Sequence, residues 1–203
     1  MDDFISFIRL RDLVIQQKSR LIEYKNLFAV DDQDMRKFIL NSTAPGFFRI
    51  VFDLFWSDMV LAVSKLTDPP TTRVKKKEFE NLTVPRLVKN WASKDKAVFA
   101  ELNTMLQELS CVASEVRTYR SKSVAHQDYE QAMKGTLSVQ LATLEKAFCL
   151  VEKILNVHSI KVGLGYYGFD SEPVAGVRSL IHVLEEALIY RKVKSDCKSD
   201  IDN

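Results

Sequence analysis

Apolar residues recur at helical spacing along most of the chain. Over 3–28, Phe4, Ile8, Val14, Ile15, Ile22 and Leu27 fall roughly on one stripe with charges elsewhere, which predicts an amphipathic helix. Asp31 and Asp32 interrupt it and can cap a short helix over 33–42. NSTAPG (41–46) is loop composition, and a strongly apolar helix with four Phe and Trp56 is expected over 46–66. Pro69 and Pro70 stop that helix.

Residues 68–80 read as a hinge with a basic run, Arg73, Lys75, Lys76 and Lys77. A solvated loop is the plainer reading, a phosphate-tracking loop the other. Thr83 has the chemistry of an N-cap, with Pro85 in the first turn of a helix over 84–92. Ser93 is expected to cap a longer helix over 94–124, striped by Val98, Leu102, Met105, Leu106, Leu109 and Val112. Thr136 is expected to cap a helix over 137–156. VHSIKVGLGYYGFDSEP (157–173) is loop or a small hairpin, the only plausible β in the chain. Ser171, with Pro173 behind it, opens a last helix over 172–192, and the polar 193–203 should fray. The pattern predicts an all-α fold, a bundle of long antiparallel helices forming one domain over 1–192.

Composition adds little to this picture and removes several alternatives. The 203 residues are 46% hydrophobic and 28% charged, which excludes wholesale disorder. Lys plus Arg number 29 against 27 acids, so any nucleic-acid site must be local. Cys111, Cys149 and Cys197 are far apart, which fits reduced thiols in a cytoplasmic protein. The N-terminus lacks the basic start and apolar stretch of a signal peptide, and no apolar run suffices for a membrane span.

Candidate chemistry concentrates in VRTYRSKSVAHQDYE (116–130). A six-residue step on a straight helix leaves Arg120 and His126 about 120° apart and about 9 Å along the axis. A joint site therefore needs the helix to end between them, or a second copy to supply one of them. The chemistry suited to such a pair is metal-free RNA cleavage. The ribose 2′-OH is the nucleophile, histidine moves the proton, and the arginine fork holds the phosphate. Arg117 and Lys122 would gather phosphates, Tyr119 is a candidate for base stacking, and Asp128 could orient the His126 imidazole. The plainer reading is a surface arginine and a histidine favoured by a helix C-terminus.

RSKSVAH (120–126) resembles the R-x₄₋₆-H signature of HEPN proteins. RIVFDLFWSDMVLAVSKLTDPP (49–70), followed by NLTVPRL (81–87), is similar to the abortive-infection U-type branch of that family. The resemblance covers about 45–130. It implies a helical bundle acting on RNA as a homodimer, two motifs facing one cleft, with no metal and no cofactor. Arg120 becomes the phosphate and transition-state residue and His126 the acid–base residue. Ser121 holds a position where the family often has Asn, Asp or His. Toxin–antitoxin membership would add a cognate antitoxin as a partner. A non-catalytic RNA- or nucleotide-binding module, or an interaction scaffold, is the alternative, and a purely structural helical protein is a third.

Other residues carry weaker signals. His158 and His182 have no ligand spacing to a second His or Cys, and read as structural or surface residues. Asp53 and Asp58 suggest a metal pair, but Arg49, four before Asp53, makes a salt bridge the plainer reading. GLGYYG (163–168) has no βαβ unit around it, so packing is the plainer role for Tyr166, Tyr167 and Phe169 than base stacking.

Overall fold

The computed structural model describes residues 2–124, 138–170, 173 and 175–199. Among these the helices are α1 (Asp2–Phe28), α2 (Gln33–Thr43), α3 (Pro45–Leu66), α4 (Val84–Lys89), α5 (Lys96–Tyr119), α6 (Leu141–Lys161) and α7 (Val177–Ser199). Two short strands, β1 (Thr71–Val74) and β2 (Lys77–Glu80), form an antiparallel hairpin between α3 and α4. The fold is all-α apart from this hairpin.

Cα packing divides the chain into two compact units. One comprises Met1–Lys18 and Ser57–Ser171, the other Ser19–Trp56 and Glu172–Asn203. In the first unit α5 packs on α6 and α4 packs on α5. Its buried side chains include Phe7, Leu10 and Val14 of α1, Met59 and Leu66 of α3, and Phe148 and Ile154 of α6. From α5 come Val98, Leu102, Leu109, Ala113 and Val116, steps of three, four and seven that keep one face inward. In the second unit α2 packs on α7, around Leu27, Ile39, Leu40, Phe48, Val177 and Ile181.

Caps explain several boundaries. Asp32 accepts from the Met35 N–H and opens α2, and Thr83 accepts from the Arg86 N–H and opens α4. Asp95, not Ser93, opens α5, its Oδ1 accepting from the N–H groups of Ala97 (2.8 Å) and Val98 (3.1 Å). No side chain caps α6, which starts at Leu141 behind Gln140, and Thr136 lies outside the described residues. The α7 N-terminus is capped from α1, where Glu23 Oε2 accepts from the Val177 N–H at 2.8 Å. Gly176 makes room for this, since a Cβ there would lie 1.9 Å from Glu23 Oε1.

Further sequence expectations change. The seam of α1 runs through Phe7, Leu10, Val14, Gln17, Leu21 and Tyr24, while Phe4 is exposed. Buried Gln17, which donates to Asp58 Oδ2 at 3.1 Å, disguises that stripe as polar. Among the described residues the β structure is at 71–80, and none lies in 157–170, where α6 runs on to Lys161 and a loop follows. The α2–α3 break shrinks to Ala44. The last helix starts at Val177, later than expected, and continues to Ser199, into the segment expected to fray, while its expected cap Ser171 lies outside the described residues.

Candidate functional site

The motif grows from the C-terminal end of α5. Arg117 Nη1 donates to the backbone oxygen of Thr67 (3.0 Å) and to its Oγ1 (3.1 Å), and Nη2 reaches Ser110 O at 3.4 Å. Thr67 lies one residue beyond α3, so Arg117 satisfies a carbonyl that the ending helix leaves open. Its guanidinium ties α5 to the chain entering the hairpin. A cation free to gather phosphates, as the sequence suggested for Arg117, would have to leave that contact.

One residue past α5 the helical register changes. Residues Arg120–Val124 form a π turn, whose N–H groups reach five residues back instead of four. Such turns are rare and concentrate at functional sites. Arg120 heads the turn and is half-buried. Its Nε is buried and donates to no acceptor among the described residues. An unsatisfied buried donor is destabilising by about 1–3 kcal/mol, more on a charged group, and calls for a reason. Tyr119 and Lys122 are half-buried beside it, and Ser121 is exposed. His126 and Asp128 lie outside the described residues.

The remaining candidates resolve into structural roles. His158 is not in a loop but on α6, 4% exposed. Its Nδ1 accepts from Trp91 Nε1 at 2.9 Å, which assigns the Nδ1 lone pair to that bond, and Phe7 stacks on its ring at 5.0 Å. His182 lies 3.3 Å from Glu186 on exposed α7. Arg49 and Asp53 pair at 3.5 Å, as their spacing suggested. Among the described residues no three His, Cys, Asp or Glu side chains converge as a metal site. No described helix is long and apolar enough to cross a membrane.

The glycine-rich loop folds back on α6. Asn156 brackets Tyr167, donating to its O (3.1 Å) and accepting from its N–H (2.9 Å), and Ser159 Oγ donates to Gly165 O at 2.6 Å. Gly163 and Gly165 hold φ of +80 and +82, where side chains are strained. Phe169 is buried and Tyr167 sits near Phe7 and Arg11, so only Tyr166 of the three aromatics faces outward.

The basic run Arg73, Lys75, Lys76 and Lys77 is not an irregular loop but the tip of the β1–β2 hairpin. Its turn residues, Lys75 and Lys76, have φ of +46 and +72. These are the positions of a type I′ turn, where Asn-Gly is the usual signal, and Lys-Lys gives no such cue.

Comparison with curated proteins and with solved structures returned no significant match. Residues 6–171 match the HEPN family described as AbiU2. That span takes in the apolar α3, the Pro69–Pro70 step, the Thr83 cap and the whole motif from Arg117 to Asp128. The chain belongs to the AbiU2 family of HEPN proteins.

Proposed function

We propose that the chain is a metal-independent endoribonuclease of the defence or toxin type, working as a homodimer in which two R-x₅-H motifs form one site. The observation that carries this reading is Arg120, a charged donor with a buried Nε that no described acceptor satisfies, at the head of a π turn inside the motif. A phosphate oxygen is the acceptor such a group suits, because the planar fork offers parallel donors to an oxyanion.

In the proposed reaction, His126 takes the proton of a ribose 2′-OH. The 2′ oxygen forms a bond to phosphorus as the bond to the 5′ oxygen breaks, and the departing 5′ oxygen receives a proton from the histidine of the second copy. The products are a 2′,3′-cyclic phosphate and a 5′-hydroxyl. Arg120 stabilises the charge that builds on the phosphoryl oxygens, an effect worth about 10²–10³-fold for one lost donor in comparable sites. Arg117 acts through Thr67, holding the α5 end in place, and Asp128 orients the imidazole.

The test is incubation of wild type, Arg120→Ala and His126→Ala with end-labelled total RNA and tRNA in EDTA. Discrete cyclic-phosphate ends from wild type alone are expected. RNA binding without cleavage by any of the three would replace the enzyme with a binding module. Equal cleavage by all three would trace the activity to a contaminating nuclease.

A further inference from the structure

The β1–β2 hairpin contributes almost nothing to the core, since seven of its eight strand residues are exposed. A two-stranded hairpin without a buried face is marginal by itself. Its base is nonetheless pinned. Asn81 Nδ2 donates to Pro69 O (2.8 Å) and Thr72 Oγ1 (2.6 Å), and the Asn81 N–H donates to Pro70 O (2.8 Å). Arg86 pairs with Glu80 at 2.6 Å, and Arg117 holds Thr67 just upstream. The fold thus fixes in place a finger that adds little to the core.

The register sorts its side chains, because directly opposed residues share a face. Thr71, Arg73, Glu78 and Glu80 lie on one face, where acid and base offset each other. Thr72, Val74, Lys77 and Phe79 lie on the other, which holds no acid. Val74 and Phe79 are each 52% exposed there. Lys75 and Lys76 crown the tip in left-handed backbone that costs a non-glycine residue about 1–2 kcal/mol.

The geometry points to a single-stranded RNA contact: Lys75, Lys76 and Lys77 engage backbone phosphates while Phe79 stacks on a base. Cations beside an exposed aromatic ring are the recurring means of holding single strands with little sequence preference, since every base has a π face. The tie from Arg117 to Thr67 fastens the hairpin's root to the helix that leads into Arg120, within one compact unit. The inference rests on the RNA-directed reading above and adds to it a substrate-holding surface outside the motif.

The decisive variant replaces the tip with the dipeptide its turn prefers, Lys75→Asn with Lys76→Gly. It removes two charges while easing the backbone, so loss of binding cannot be assigned to a broken hairpin. Binding is read by fluorescence anisotropy on a fluorescein-labelled single-stranded RNA of mixed sequence, with both proteins carrying His126→Ala to keep the RNA intact. The double variant should bind on the order of tenfold more weakly at moderate salt, and its log–log salt slope should flatten by about 1.4, two single-strand phosphate contacts. Phe79→Ala should weaken binding by about tenfold without changing that slope. Equal affinity and slope for the tip variant would overturn the inference, as would an absence of RNA binding by the parent. The readings separate cleanly. RNA binding lost with the tip, in a protein that never cleaves, leaves the hairpin standing and removes the nuclease. Unchanged binding by the tip variant, with cleavage that needs Arg120, does the reverse.

Discussion

Arg117 and Arg120 stand three residues apart and meet opposite fates. The first is spent on Thr67, and the second keeps a buried Nε without a described acceptor. Arg117→Ala should therefore lower stability by about 1–2 kcal/mol, read as a fall in the denaturation midpoint. Arg120→Ala should leave that midpoint unchanged or raised, and should reduce RNA cleavage at least about a hundredfold. Arg120→Lys should not restore cleavage, because a point charge does not reproduce the fork. If Arg117→Ala abolishes cleavage at full stability, its assignment as a positioning residue is wrong. Elsewhere in the same unit, Trp91→Phe would strip the His158 Nδ1 of its donor in a buried site. We expect a loss of about 1–3 kcal/mol, measured by chemical denaturation.

At the scale of elements, packed polar side chains steer the fold where apolar patterning falls silent. Lys18 of α1 bridges Glu152 on α6 and Asp170 at 2.7 Å in the loop after it. Burial pulls the Lys18 pKa down, but the hydrogen bonds to Asp170 and Glu152 outweigh it and leave the pKa above the ordinary lysine value. Burial alone pushes the Tyr24 phenol up to about 12, from 10.0. For both groups the folded pKa lies above the unfolded one, so their stabilising contributions are intact below about pH 10 and fade as pH rises through the folded values. The Tyr24 part should disappear between about pH 10 and 12, and Tyr24→Phe should flatten that decline in a urea series. A decline of the same steepness in the variant would assign it to other groups. Helix type and order were legible in the sequence because long apolar stripes and Thr83 and Asp32 caps announce themselves. The α1 seam was not, because Gln17 occupies a buried position and only tertiary contact with Asp58 explains it. Nor was the hairpin, whose Lys-Lys turn lacks the usual residues and whose strands bury no alternating face. In the site, R-x₅-H was legible as a pattern, but neither the π turn nor the Thr67 tether could be, since both depend on how α5 ends.

For the molecule as a whole, the homodimer proposed above needs an apolar seam. In the second unit α3 exposes Phe47, Ile50 and Leu54, each more than half accessible, at steps of three and four that make one stripe. An exposed apolar stripe of this kind is suited to cover by a partner surface. Sedimentation should give twice the chain mass of 23.3 kDa, and Ile50→Glu with Leu54→Glu should return a folded monomer with cleavage lost. A dimer that persists in this variant would place the seam elsewhere.

The two tryptophans of the sequence fall one to each unit, Trp91 wedged on His158 and Trp56 stacked with Phe52 beside Tyr24. Nature has thereby built in a pair of emission probes. In Trp56→Phe and in Trp91→Phe, the remaining indole's emission can be compared with the far-UV circular dichroism of that same variant through a heat or urea scan, which asks whether the units melt as one cooperative body or in sequence. Coincident curves would make the chain a single thermodynamic switch between native and unfolded. Separate ones would reveal a partly melted species in which one half still stands.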